Sequence, residues 1–150
     1  VLIAAVYYVV NTRTTLQTRQ AQLFMPLYAN FFSEGFMKAA QETIYQWQWR
    51  DYDDYQAKYG YSSNPEAYLM RHKVGNYLEG MGVLVRRRLI DSSLVDDLMS
   101  GVITLYWEKF GPIMLETRKR SNYPQAGEHI EYLYNQIRPI VDKQHPELRK

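Results

Sequence analysis

The sequence predicts an all-α fold: a small bundle of about five or six helices, with a long N-terminal helix that emerges from a membrane span. Three observations predict it. Apolar residues recur at three- and four-residue intervals in almost every stretch beyond residue 10. Helix start signals stand before several of those stretches, at Ser33, Asn64 and Asp91. The opening ten residues, VLIAAVYYVV, carry no charge at all.

Size and composition narrow the class. A chain of 150 residues suits one domain and can bury a real core. Apolar residues make up 46% and charged residues 23%, which excludes a disordered tail and a polytopic membrane protein. A net charge of +2 is too small to imply nucleic acid as a partner. The absence of cysteine excludes disulfides, thiolate zinc sites, iron–sulfur clusters and thiol nucleophiles. The 14 tyrosines and 3 tryptophans pair an apolar body with a polar tip, which suits half-buried positions, membrane interfaces and protein contacts.

Residues 1–12 read as the end of a transmembrane helix and residues 13–150 as a single helical domain. The uncharged run is about half of the 20 residues a full span needs, and the chain opens on Val rather than Met. The expectation is therefore the far end of a longer hydrophobic helix. Tyr7 and Tyr8 would lie at the headgroup level, with Arg13 and Arg19 beyond them. No acidic residue precedes Glu34, which suits a cytoplasmic flank. The expected location is a single-pass membrane protein with its domain in the cytoplasm. A β-strand reading of the run fails for want of a strand partner elsewhere.

The first helix should continue past residue 10 along the stripe Leu16, Leu23, Leu27 and Phe31, bent at Pro26. Ser33 caps a second helix, with Glu34 favourable at its N-terminus and Met37, Ala40, Ile44 and Trp47 on its inner face. Arg50 to Asp54 either extends this helix or turns. Gly60 to Asn64 is a loop, and Asn64-Pro65 opens a third helix along Met70, Val74, Tyr77, Leu78, Met81, Leu84 and Val85. Gly75, Gly80 and Gly82 inside it each weaken the helix by about 1 kcal/mol relative to Ala, so a close neighbouring helix is the expected compensation. Asp91 caps a short fourth helix ending at Gly101, with Ile90 and Val95 as a hydrophobic staple. A fifth helix carries Ile103, Tyr106, Trp107, Phe110, Ile113 and Met114 and kinks at Pro112. A loop at Asn122–Gln125 leads to the last helix, marked by Ile130, Leu133, Tyr134, Ile137, Ile140 and Val141.

No catalytic motif stands out. His72, His129 and His145 form no i, i+3 or i, i+4 pair, and no Glu-x-x-His spacing is present. The Gly80-Met-Gly82 segment has no serine, and no phosphate-binding glycine loop exists. Asp53-Asp54 and Asp96-Asp97 are adjacent pairs that diverge on a helix. Neither a metal nor a cofactor is expected. The basic runs Arg86–Arg88 and Arg118–Arg120 fit helix ends paired with Asp91 or Glu116, with anionic lipid headgroups as the other partner. The run from Tyr45 to Tyr52 places rings on more than one face of a continuing helix. Trp47, Trp49 and Tyr52 are therefore the expected protein-contact residues.

Residues 76–91, NYLEGMGVLVRRRLID, with Leu94-Val95, Leu98, Gly101, Ile103, Tyr106-Trp107-Glu108 and Pro112-Ile113, resemble a prokaryotic family described as a domain of unknown function, DUF4760. Ser33-Glu34, Phe36, Ala39-Ala40 and Ile44-Tyr45 are similar to its second helix. The resemblance covers residues 30–120 and implies short proteins with an N-terminal membrane helix and a cytoplasmic helical domain. It implies no catalytic residues. The expected function is a membrane-anchored interaction or accessory protein without catalytic activity, in contact with membrane lipid and with protein partners in a membrane complex or homo-oligomer. The alternative is a small-ligand sensor or enzyme with a pocket between the helices, near Tyr77, Glu79 or His72.

Overall fold

The computed structural model describes residues 1–148 and contains six α-helices and no strand among them. They are α1 (Leu2–Phe31), α2 (Glu34–Gln41), α3 (Tyr52–Tyr59), α4 (Pro65–Arg86), α5 (Ser92–Arg120) and α6 (Glu128–Gln144). A π-helical turn, Glu42–Gln46, follows α2.

The helix starts follow the local sequence. The Ser33 side chain accepts from the Phe36 N–H, Asn64 accepts from Ala67, and Asp91 accepts from Ser93. Each satisfies a donor that the first helical turn leaves free. Pro65 occupies the first turn of α4. Ile90 and Val95, flanking the Asp91 cap, are both buried, as a hydrophobic staple requires. Arg88, just past α4, adopts φ 57°, a left-handed conformation that normally goes to glycine.

The core is built by α4, α5 and α6. Val74, Leu78, Met81 and Val85 meet Ile103, Tyr106, Phe110 and Met114, and Ile130, Leu133 and Ile137 complete the layer. Helix α2 lies across α4 through Phe36, Ala39 and Ala40. Gly82 lets α4 and α6 touch: a Cβ there would stand 2.2 Å from the His129 carbonyl oxygen. Gly80 faces open space, so close packing compensates for Gly82 and not for Gly80.

Two boundaries differ from the sequence reading. The expected fourth and fifth helices are one, because α5 runs unbroken across Gly101 and Pro112. Met99 and Ile103, on either side of Gly101, are both buried, and their packing outweighs a single glycine. The second helix stops early. Its backbone passes through the π turn and becomes extended at Trp47, with ψ 141°. The Asp51 side chain then starts α3 by accepting from the Asp54 N–H at 2.9 Å.

Helix α1 docks only by its last turns. Phe24 and Phe31 are buried, and the Tyr77 hydroxyl donates to the Leu27 carbonyl at 2.6 Å. Residues 1–19 are all exposed, so Leu16 and Leu23 do not join the core as their stripe suggested. Among the described residues nothing buries that half of the helix. The expected membrane span is not reproduced: among the described residues, no helix is long and apolar enough to cross a membrane. The polar stretch from Asn11 onward interrupts the hydropathy too soon.

Candidate functional site

A cleft of about 510 Å³ opens between α4, the start of α6 and the loop joining α5 to α6. Helix α4 supplies Tyr68, Arg71, His72 and Glu79, and α5 contributes Thr117, facing His129 of α6. The spacing 71, 72, 75, 76, 79 puts the α4 residues on one side of the helix.

Arg71 lies on the same stripe as Ala67, Val74, Leu78, Met81 and Val85, which are buried. Its guanidinium sits 5.7 Å from the centre of the Phe110 ring. The Tyr106 hydroxyl donates to the Arg71 carbonyl at 3.2 Å, and Gly75 leaves room for it: a Cβ there would lie 2.7 Å from that hydroxyl. Burial pushes the Tyr106 phenol up to about 12. Burial also opposes the charge on Arg71, but the hydroxyls of Tyr106, Tyr55 and Tyr68 outweigh it, and the guanidinium stays protonated. Its Nε and the His129 Nδ1 are sealed from solvent without a hydrogen-bond partner.

His72 stacks on Tyr68 with ring centres 3.8 Å apart. Its Nδ1 is 2.8 Å from the Tyr68 carbonyl oxygen. A carbonyl only accepts, so Nδ1 carries the hydrogen and Nε2 is the basic nitrogen. Burial first, and the Arg71 charge second, lower the His72 pKa. Glu79 accepts from the His129 N–H at 3.0 Å, at the start of α6. Burial raises its pKa against that hydrogen bond. Of the three residues around which a pocket was expected, His72 and Glu79 line the cleft. Tyr77 does not: it packs on Phe31 and Phe36 and anchors α1.

The aromatic residues expected to face a partner are arranged differently. In the extended segment, Trp47 and Trp49 share a side because alternate residues do. That side is the inside. Trp47 is 6% exposed and stacks on Tyr59 at 4.1 Å. Trp49 is half-buried, 5.3 Å from Phe110 and 5.0 Å from Tyr55. Lys109 of α5 donates to the Ile44 and Trp47 carbonyls, closing the π turn. Tyr52 is half-buried under the Arg120 guanidinium at 4.7 Å. Trp47 is thus a core residue, a correction whose cause is the break in the helix before it. Tyr45 is the exposed ring of the run, at 61%.

Arg86 and all three residues of the second basic run pair with carboxylates. Arg86 meets Glu128 at 2.9 Å, not Asp91, and Arg118 meets Glu131 at 2.7 Å. Lys119 and Arg120 both reach Glu116. Tyr7, Tyr8, Arg13 and Arg19 stand on the exposed half of α1, well away from the cleft. Among the described residues no three acidic or histidine side chains converge as a metal site.

A three-helix core with a cleft of mixed polar and apolar lining and a projecting N-terminal helix defines a small helical-bundle protein. The chain belongs to the family described as a domain of unknown function (DUF4760), whose model matches residues 2–137. The matched stretch includes the projecting half of α1. No curated protein and no solved structure matches the chain.

Arg71 is the cleft residue that the sequence analysis does not single out. The signal was present: a charged residue stood four positions after Ala67 and three before Val74, where the α4 stripe calls for an apolar one.

Proposed function

We propose that this protein is a membrane-anchored helical interaction or accessory protein, whose bundle is held at the bilayer by the N-terminal half of α1. One observation carries the reading: residues 1–19 of a helix project with every side chain exposed, and the first ten are uncharged and mostly apolar. Water is a poor environment for such a surface, and covering it is favourable in proportion to the apolar area removed. Ten helical residues extend about 15 Å, half of a hydrocarbon core of about 30 Å. Tyr7 and Tyr8 follow within that length, and Arg13 and Arg19 come after it, an order that suits lipid, interface and aqueous flank in turn. Thr14, Thr15 and Thr18 donate their hydroxyls to carbonyls four residues back, so they present little unsatisfied polarity. The bundle sits on the cytoplasmic side in this reading, by the positive flank. Exposed helices of this kind also assemble side by side, which makes a membrane complex or a homo-oligomer the setting.

Flotation with phosphatidylcholine–phosphatidylserine vesicles tests this. The chain should float, and the double substitution Val6→Asp with Val9→Asp should leave it in the dense fractions while the bundle's unfolding transition is unchanged. A wild-type chain that stays at the bottom of the gradient as a monomer defeats the reading.

The alternative class, a sensor or enzyme with a pocket between helices, is favoured by the cleft at Arg71. No residue of α1 lines that cleft, so the two surfaces are compatible.

A further inference from the structure

We propose that the cleft beside α4 binds a small, singly charged carboxylate, with Arg71 as the residue that grips it. The inference goes beyond the membrane reading and does not rest on it.

Arg71 differs from the other arginines of α4, α5 and α6. Arg86, Arg118, Arg120 and Arg138 each sit on a carboxylate. Among the described residues, Arg71 has none within 4.0 Å. Its company is three phenols and the Phe110 ring, and its Nε is sealed and unpartnered. The phenols keep the guanidinium charged without neutralising it, so an arriving anion meets a cation with no carboxylate on it. The planar guanidinium fork matches the two oxygens of a carboxylate. The His129 Nδ1, which lines the same cleft, adds a second polar group without a hydrogen-bond partner.

The other charges in the cleft choose between anions. Glu128 is balanced by Arg86 at 2.9 Å, and Glu79 is engaged with the His129 N–H. Both still repel added negative charge. One unpaired cation facing two carboxylates favours a monoanion over a dianion such as a phosphate monoester, which carries about −1.5 to −2 at neutral pH. The volume of about 510 Å³ accommodates a ring-sized molecule. The stacked Tyr68–His72 pair and Tyr123 offer flat surfaces to it.

Benzoate is the probe, with benzamide as its uncharged counterpart and inorganic phosphate as the dianion, all at about pH 8, where phosphate is mostly doubly charged. Titrated into the 150-residue chain and followed by calorimetry and by histidine ring NMR, benzoate should bind with Kd of about 1–10 mM. It should move the His72 and His129 resonances and leave His145 unmoved. Benzamide and phosphate should each bind about tenfold more weakly. Arg71→Met should weaken benzoate by about tenfold or more. If that variant does not fold, Arg71→Lys decides, since it keeps the charge and loses the fork, and it too should bind more weakly. Equal affinity for benzoate and benzamide, tighter binding of phosphate, or no response to benzoate at about 50 mM each overturns the proposal. Unchanged binding in whichever arginine variant folds does the same.

Discussion

At the scale of the residue, two glycines two positions apart in α4 make opposite predictions. Gly82 faces the His129 backbone, where a Cβ would stand 2.2 Å from the carbonyl oxygen and 2.7 Å from its carbon. Backbone cannot swing away as a side-chain tip can, so Gly82→Ala should force α4 and α6 apart and lower stability by about 2–3 kcal/mol. Gly80 meets nothing within 4 Å and is exposed. Gly80→Ala should raise stability by about 0.5–1 kcal/mol through helix propensity alone. Urea unfolding measures both as midpoint shifts of opposite sign. His72 gives a prediction in pH. Its folded pKa lies below the ordinary value of 6.5, so between the two values the unfolded chain binds more protons. The stability this contributes is complete above 6.5 and is lost as pH falls through the folded pKa. A His72→Gln variant should therefore lose less Tm than wild type between pH 7 and about 5. An equal or steeper loss in the variant would show that His72 does not govern this limb.

At the scale of the element, the segment joining α2 to α3 depends on a group far away in sequence. Lys109 of α5 donates to the Ile44 and Trp47 carbonyls, which the π turn leaves without helical partners. Burial lowers its pKa, but the two carbonyls still define its place. Lys109→Met keeps the stem and removes the donor. It should cost about 1–3 kcal/mol by leaving buried acceptors unsatisfied, and tryptophan fluorescence should shift as Trp47 and Trp49 loosen. Full retention of both signals would mean that the ring cluster alone holds the turn. This element also shows where the sequence was legible. Caps at Ser33, Asn64 and Asp91, the staple at Ile90 and Val95, and the α4 and α6 stripes are local chemistry, and local chemistry can be read from neighbours. The π turn and the inward tryptophans could not be read, because Lys109 and Phe110 fix them from more than 50 residues away. For the same reason α5 looked broken at Gly101: propensity is local, while the burial that overrides it is not. Arg71 lies between these cases, since its place on an apolar stripe was visible but its missing carboxylate was not.

At the scale of the whole molecule, α1 divides into a docked end and a projecting one, and the two should behave as separate units. From Phe24 to Phe31 the helix is held by buried rings and by the Tyr77–Leu27 hydrogen bond. The stretch before Phe24 extends about 33 Å with no bundle surface beside it. An isolated helix of this length is marginal in water, and Val6, Val9, Val10, Thr12, Thr14 and Thr15 are weak helix formers. No acidic residue precedes Glu34, so the arm has no ion pair within the helix to help it. Hydrogen exchange of the dilute chain in buffer should therefore leave amides of residues 2–18 nearly unprotected, while α4, α5 and α6 exchange only through global unfolding. Adding phosphatidylcholine–phosphatidylserine vesicles should protect the amides up to about Val10 and leave the bundle's rates unchanged, because lipid offers no alternative partner to a backbone N–H and makes the helix obligatory. Protection that appears without lipid and grows with protein concentration would instead assign the apolar end to contact between copies. Strong protection in dilute buffer would mean that the arm folds back on its own bundle, and the anchor would have to be sought elsewhere.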